Sequence, residues 1–164
     1  MRMELESHVL TALVEHKPGV LERVASGFSR RRFNIDSITV GSTDNPGIAR
    51  MTIVSRGDEH VLEQILKQMY KLVNVIKVSD LDKDNSVIRE LCIVKLHAPD
   101  EKAKSKIVRY ADVFRGNVVD VSPKTMSVEI VGDKQKIDAF LDLMRSGSGV
   151  KEVARTGVTA IARG

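Results

Sequence analysis

One order of elements occurs twice in this sequence, and that repetition limits the folds open to it more than any other feature. Residues 8–14 are aliphatic and β-branched, and they stop at Glu15-His16-Lys17-Pro18-Gly19, a stretch that cannot continue a strand. Val20, Leu21, Val24, Ala25 and Phe28 then recur at three and four residues, the spacing of one helical face, so a helix is predicted from about Gly19 to Arg32. Residues 33–44 and 48–55 read as two strands around the turn Asn45-Pro46-Gly47. Residues 58–72 carry Val61, Leu62, Ile65, Leu66 and Met69 on one helical face, and residues 73–78 close with a β-rich stretch. The predicted order is βαββαβ.

The second half repeats it. Residues 87–96 alternate as a strand, and Pro99-Asp100-Glu101 opens a helix to about Phe114 with acidic groups at its positive end. Residues 117–121 and 125–131 flank the turn Ser122-Pro123-Lys124. Ile137, Phe140, Leu141 and Met144 mark a helix that Gly147-Ser148-Gly149 ends, and residues 150–161 read as one last strand. Each half is the pattern of a split-βαβ sandwich. The expected fold class is therefore α+β, two ferredoxin-like βαββαβ sandwiches in tandem, with domains 1–80 and 81–164 divided at a polar linker carrying three aspartates. The repeat lies in element order, because residue identity between the halves is weak.

Composition excludes several functions. The net charge of +4 divides as +1 over residues 1–80 (11 basic, 10 acidic) and +3 over residues 81–164 (15 basic, 12 acidic), so neither half is a basic domain. There is no Trp, and 4 Phe and 2 Tyr provide no paired aromatics of the kind that stack RNA bases on a sheet. Nucleic acid is not an expected partner. Cys92 is the single cysteine, which removes intramolecular disulfides and fits a reducing compartment. Residues 1–6 lack the apolar stretch of about 7–15 residues that a secretory signal needs, and no run approaches the roughly 20 required to span a bilayer, so a cytoplasmic location away from membranes is expected.

Catalytic and metal motifs fail on inspection. Asp80-Leu81-Asp82-Lys83-Asp84 opens like a calcium loop, but Asn85 takes the place of the turn glycine and Leu91 that of the closing glutamate. His8, His16, His60 and His97 fall in different elements without metal-ligand spacing, so no metal site is expected. Cys92 lies inside an apolar strand, where an inert buried thiol is the better reading, and no nucleophile elbow or phosphate loop is present. Arg30-Arg31-Arg32 falls at a predicted helix C-terminus, where cations complement the partial negative charge, although a partner contact is an alternative. No catalytic residue is assigned.

One constellation has ligand chemistry: the loop His16 to Gly19, the helix start Val20-Leu21, and Asn34-Ile35 entering the next strand. Amides at the helix start can hold a carboxylate, the Asn34 side-chain oxygen can accept from an ammonium, and Val20, Leu21 and Ile35 can shield an aliphatic side chain. A small zwitterion would satisfy all three. In a split-βαβ unit the two segments lie at opposite ends of the first helix, so a pocket using both would be completed across a dimer. On residue physics alone, Gly19 as turn freedom and Asn34 as a turn hydrogen bond is the favoured reading of the segment.

Residues 15–21 (EHKPGVL), 28–41 (FSRRRFNIDSITVG) and 50–54 (RMTIV) resemble the ACT domain of the small, regulatory subunit of acetolactate synthase. Residues 89–91, 114–121 (FRGNVVDV), 138–141 and 152–157 (EVARTG) are similar to that family's C-terminal domain. The resemblance implies a chain that is not itself the catalyst. It implies a large catalytic partner subunit holding thiamine diphosphate, magnesium and FAD, which condenses pyruvate with pyruvate or 2-oxobutyrate in branched-chain amino-acid biosynthesis. It further implies activation of that partner, a homodimer through ACT domains, and feedback inhibition by valine bound by His16, Gly19, Val20 and Leu21 of one protomer and Asn34 and Ile35 of the other. No cofactor is implied in this chain. His16 stands where the family often has Asn, and Arg32-Phe33 where a Gly-Tyr pair is common. A free-standing amino-acid-sensing module acting on another enzyme or a transcription factor is the competing expectation.

Overall fold

Alternation along the first strand decides how the N-terminal unit is built. A computed structural model describes residues 6–164, so the signal-peptide reading over residues 1–6 lies, except for Glu6, outside the described residues. In β1 (Glu6–Glu15), Leu10, Ala12 and Val14 point to one face and are almost fully buried, while Val9 points to the other. The chain continues through α1 (Val20–Arg30), β2 (Asn34–Ser42), β3 (Ile48–Gly57), α2 (Glu59–Tyr70) and β4 (Val75–Leu81). The strands pair antiparallel in the order β2-β3-β1-β4. Val20, Val24 and Phe28 of α1, with Ile65 and Met69 of α2, close over Leu10, Ala12, Met51 and Ile53 to form the core on one face of the sheet. Each such side chain removed from water stabilises the fold by about 1.5–3 kcal/mol before entropy is charged.

The second unit has the same topology: β5 (Ser86–His97), α3 (Glu101–Val113), β6 (Asn117–Val121), β7 (Thr125–Gly132), α4 (Lys134–Gly147) and β8 (Val150–Arg155), with the path β6-β7-β5-β8. Val94, Leu96 and Val128 from the sheet meet Ile107, Phe140 and Met144 from the helices, each 1% exposed or less. Phe114 packs edge-on against Phe140 with centroids 5.3 Å apart. The two sandwiches expected from the sequence are present.

The division between the units differs from the sequence reading. The compact units are Met1–Ile88 with Val158–Gly164, and Arg89–Gly157. By contact the units part at 88/89, where the sequence reading divided the chain at 80/81, and residues 158–164 group with the first unit. The single strand expected over residues 150–161 is also corrected: it breaks into β8 and β9 (Thr159–Ala162). Gly157 supplies the break with φ of 82°. Beyond it, Val158 donates its N–H to Ser37 Oγ at 3.3 Å and accepts from Thr39 Oγ1 at 2.8 Å. Ala160 is then buried with Val9, Val54 and Leu81 on the face of the first sheet that the helices do not cover.

A residue-level echo of the repeat appears in the helix ends. α1 closes with Phe33 N–H on Phe28 O and Arg32 N–H on Ser29 O, and Arg32 takes φ of 57°. α3 closes with Gly116 N–H on Ala111 O and Arg115 N–H on Asp112 O, with Arg115 at φ of 53°. Both are Schellman turns, in which the left-handed position is normally glycine. Of the Arg30 to Arg32 run, Arg30 thus occupies the last helical turn, Arg31 the cap and Arg32 the left-handed residue.

Candidate functional site

The four helices of the described residues do not begin alike. Asp58, Asp100 and Asp133 cap α2, α3 and α4, accepting from the N–H of Val61, Ala103 and Lys136. α1 begins at Gly19, which sits at φ of 81° with no side-chain cap. Val20 N–H reaches only the carbonyl of Lys17, at 3.4 Å, and the N–H groups of Leu21 and Glu22 find no acceptor among the described residues. A β-carbon added at Gly19 would meet nothing within 4 Å. The first turn of α1 therefore presents donors, and the positive end of the helix dipole, to open space.

The loop leading into this turn is held from both sides. His16 donates its backbone N–H to Gly47 O at 2.8 Å, which ties the loop to the β2–β3 turn. Asn74 bridges the end of β1 and the first turn of α1, donating Nδ2 to Glu15 Oε2 and accepting from Arg23 Nη1 at 2.7 Å. That hydrogen bond, with Lys17 beside it, holds the Glu15 carboxyl below the usual carboxylate range. The Asn74 bridge joins residues 51 and 59 positions away, so no local pattern in the sequence announces it.

The residues named from the sequence take distinct places. His16 and Gly19 are exposed, and Leu21 is 47% exposed at the open helix end. Val20 is buried at 4% and packs into the core, so toward a ligand it could offer its backbone but not its side chain. Ile35 is half-buried against the same core. Asn34 is exposed, and its Nδ2 donates to Asp36 Oδ1 at 3.1 Å while Arg56 pairs with the same carboxylate from Nε. With the amide nitrogen engaged, Asn34 Oδ1 is the atom left to accept.

Within one chain these two groups stand apart. α1 separates them by about 16 Å along its axis at 1.5 Å per residue. The strand register agrees: Asn34 lies opposite Arg56, whereas the His16 loop adjoins Gly47 and the other end of β2, where Ser42 lies opposite Ala49. His16, Gly19 and Leu21 are brought together with one another; Asn34 and Ile35 are not brought to them. β2, however, is the edge strand of its sheet. Among the described residues, no three His, Cys, Asp or Glu side chains group as they would around a metal ion. No helix among them is long and apolar enough to cross a membrane.

Known proteins carry the same two-part chain. Residues 10–77 match the "AHAS small subunit-like ACT domain", and residues 89–164 match the "Small subunit of acetolactate synthase". The "Probable acetolactate synthase small subunit" of Methanothermobacter thermautotrophicus is 59% identical over 164 residues, spanning all of this chain and 97% of that protein. The chain belongs to the acetolactate synthase small-subunit family. The "Acetolactate synthase small subunit" of Mycobacterium bovis is 44% identical over 99% of this chain and 95% of its own. The crystal structure of the acetolactate synthase small subunit from Thermotoga maritima superposes with a TM-score of 0.89 at 42% identity, covering 97% of this chain and 98% of that one. Family membership thus extends over both units, with the second family match beginning at the structural boundary, Arg89.

Proposed function

We propose that this chain is the regulatory subunit of acetolactate synthase, activating a separate catalytic subunit and conferring inhibition by valine. The observation that carries the reading is the pairing of an uncapped helix start with a pre-oriented acceptor at opposite ends of an edge strand. Antiparallel association of two β2 edges would extend the sheet across a two-fold axis and bring the Asn34 end of one protomer beside the Ser42 end, and hence the His16 loop, of the other. The carboxylate of an amino acid would then lie on the Leu21 and Glu22 amides, with His16 and Gly19 bordering it. Its ammonium would lie on Asn34 Oδ1 of the second protomer, with the Asp36 carboxylate close by. Leu21 and Ile35 would cover an aliphatic side chain. The interface and the ligand need each other, which is how a small molecule comes to favour one protomer arrangement, with coupling of about 1–3 kcal/mol.

On this reading the chain performs no chemistry itself, and the thiamine diphosphate, magnesium and FAD of the reaction belong to the large subunit. The family's naming and the chain's match to whole small subunits support that division. The deciding assay is acetolactate formation by the large subunit with and without this chain, each titrated with valine. Stimulation by the chain and inhibition by valine only in its presence are expected; a rate indifferent to the chain refutes the proposal. Calorimetry of the chain with valine, beside an Asn34→Ala variant, tests the site. Equal affinity for the two proteins removes Asn34 from it.

A further inference from the structure

Between α1 and α2, on the helix face of the first unit, runs a groove of about 770 Å³. Its floor is apolar, formed by Phe28, Met69 and Leu72 with Phe33 at one end. Its border is basic: Arg23, Arg30, Arg31 and Lys71 line it, against Glu22 as the one carboxylate among its described lining residues. The side chains of Arg30, Arg31 and Lys71 form no ion pair among the described residues, so no described carboxylate is paired with them. Arg23 is already engaged by Asn74.

Gly27 adds a second observation. It stands inside α1 and lines the groove, yet it has no left-handed φ and a β-carbon built on it meets nothing within 4 Å. Glycine is the poorest helix former short of proline, and no contact among the described residues requires it here. Its effect is to leave the middle of the groove open to close approach from outside. An apolar floor, guanidinium groups along the border and a bare helix surface between them complement an extended or helical segment with apolar side chains flanked by carboxylates.

We propose that this groove is the docking surface for an acidic, apolar-faced segment of the catalytic subunit. The inference rests on the reading of the chain as a regulatory subunit and deepens it by naming the surface that touches the partner. Gly19 and Glu22 at the start of α1 line the same groove, so it adjoins the effector site there, while Arg30 and Arg31 lie at the far, C-terminal end of the helix. Guanidinium groups pairing with carboxylates in a partly desolvated groove should make association salt-sensitive and geometrically specific.

The test measures binding of the full-length chain to its immobilised large subunit at low and physiological ionic strength. Gly27→Glu places a bulky acid in the groove, and the double variant Arg30→Glu/Arg31→Glu reverses its border; Lys102→Glu/Arg109→Glu on exposed positions of α3 is the control. Both groove variants should weaken binding by about tenfold or more and flatten its salt dependence, with the control close to wild type. Thermal melting of each variant confirms folding, and should Gly27→Glu not fold, the arginine pair, being wholly on the surface, decides alone. Groove variants that bind as well as wild type overturn the proposal. So does a sedimentation experiment in which they alter self-association instead, which would make the groove a contact between copies of this chain. A wild-type chain that fails to bind the large subunit overturns the regulatory reading and the groove with it, whereas wild-type binding with indifferent groove variants overturns the groove alone.

Discussion

Replacing Arg155 with alanine should destabilise the second unit more than any other single loss of charge in it. Arg155 reaches from β8 to Glu90 of β5 and donates from Nε at 2.9 Å and Nη2 at 2.7 Å, a two-pronged pairing; Nη1 adds a bond of 2.8 Å to Asp138 of α4. The Glu90 side chain is only 6% exposed, and its carboxylate and Asp138 hold the guanidinium firmly protonated. Removing one partner of a buried pair leaves the other as an uncompensated charge, which costs about 3–5 kcal/mol. The Arg155 side chain is 29% exposed, so truncation would admit some water to Glu90 and reduce the cost, to about 2–4 kcal/mol. In a chain of this length that corresponds to a fall in melting temperature of roughly 5–15 °C. Because the chain has two units, the change should be read by hydrogen exchange of the amides of β5, β7 and β8 as well as by the melting curve. A Glu90→Gln/Arg155→Ala double variant removes the stranded charge and should recover part of the loss. If Arg155→Ala costs less than about 0.5 kcal/mol, the level of an ordinary exposed ion pair, the reasoning from burial is wrong.

Three further outcomes are expected. Arg32→Gly should stabilise the first unit by about 0.5–1 kcal/mol, since the left-handed position costs a non-glycine residue about 1–2 kcal/mol and glycine returns part of that through its looser unfolded state; chemical denaturation checks the sign. Lys134 first, and then Arg155, hold the Asp138 carboxyl below its usual range, so its contribution is fully present above the ordinary aspartate pKa of about 3.9 and is lost as pH falls through the lower folded value. Acid titration of stability should therefore show a component below about pH 4 that Asp138→Asn abolishes. Burial pushes the Cys92 thiol up, so alkylation at neutral pH should proceed only as fast as the second unit opens, and fast modification of the folded chain would contradict its placement in the core.

How legible the chain was depends on how local each cause is. The spacing of Val20, Val24 and Phe28 and the alternation through Cys92, Val94 and Leu96 announce the elements because each periodicity depends only on the geometry of its own segment. The capping aspartates and the arginine at each Schellman position are equally local, although the latter is hard to read because arginine is not the residue that position favours. His16, Gly19 and Leu21 could be grouped from adjacency, and the separation of Asn34 follows from topology once two strands and a helix are accepted. The Asn74 bridge could not be read, since it exists only where β1, α1 and the turn before β4 converge.

The sequence alone therefore determined the two βαββαβ units and the segments from which a ligand site would be built. Both depend on periodicity, residue chemistry and neighbours a few positions away. Only the tertiary structure decided that the chain divides at 88/89, that β9 returns to cover Val9, Val54 and Leu81, and that Val20 is committed to the core while Leu21 is not. Those outcomes turn on which apolar surface remains uncovered after the local elements have formed, and burial of that kind is a property of the whole sandwich that no window along the chain contains.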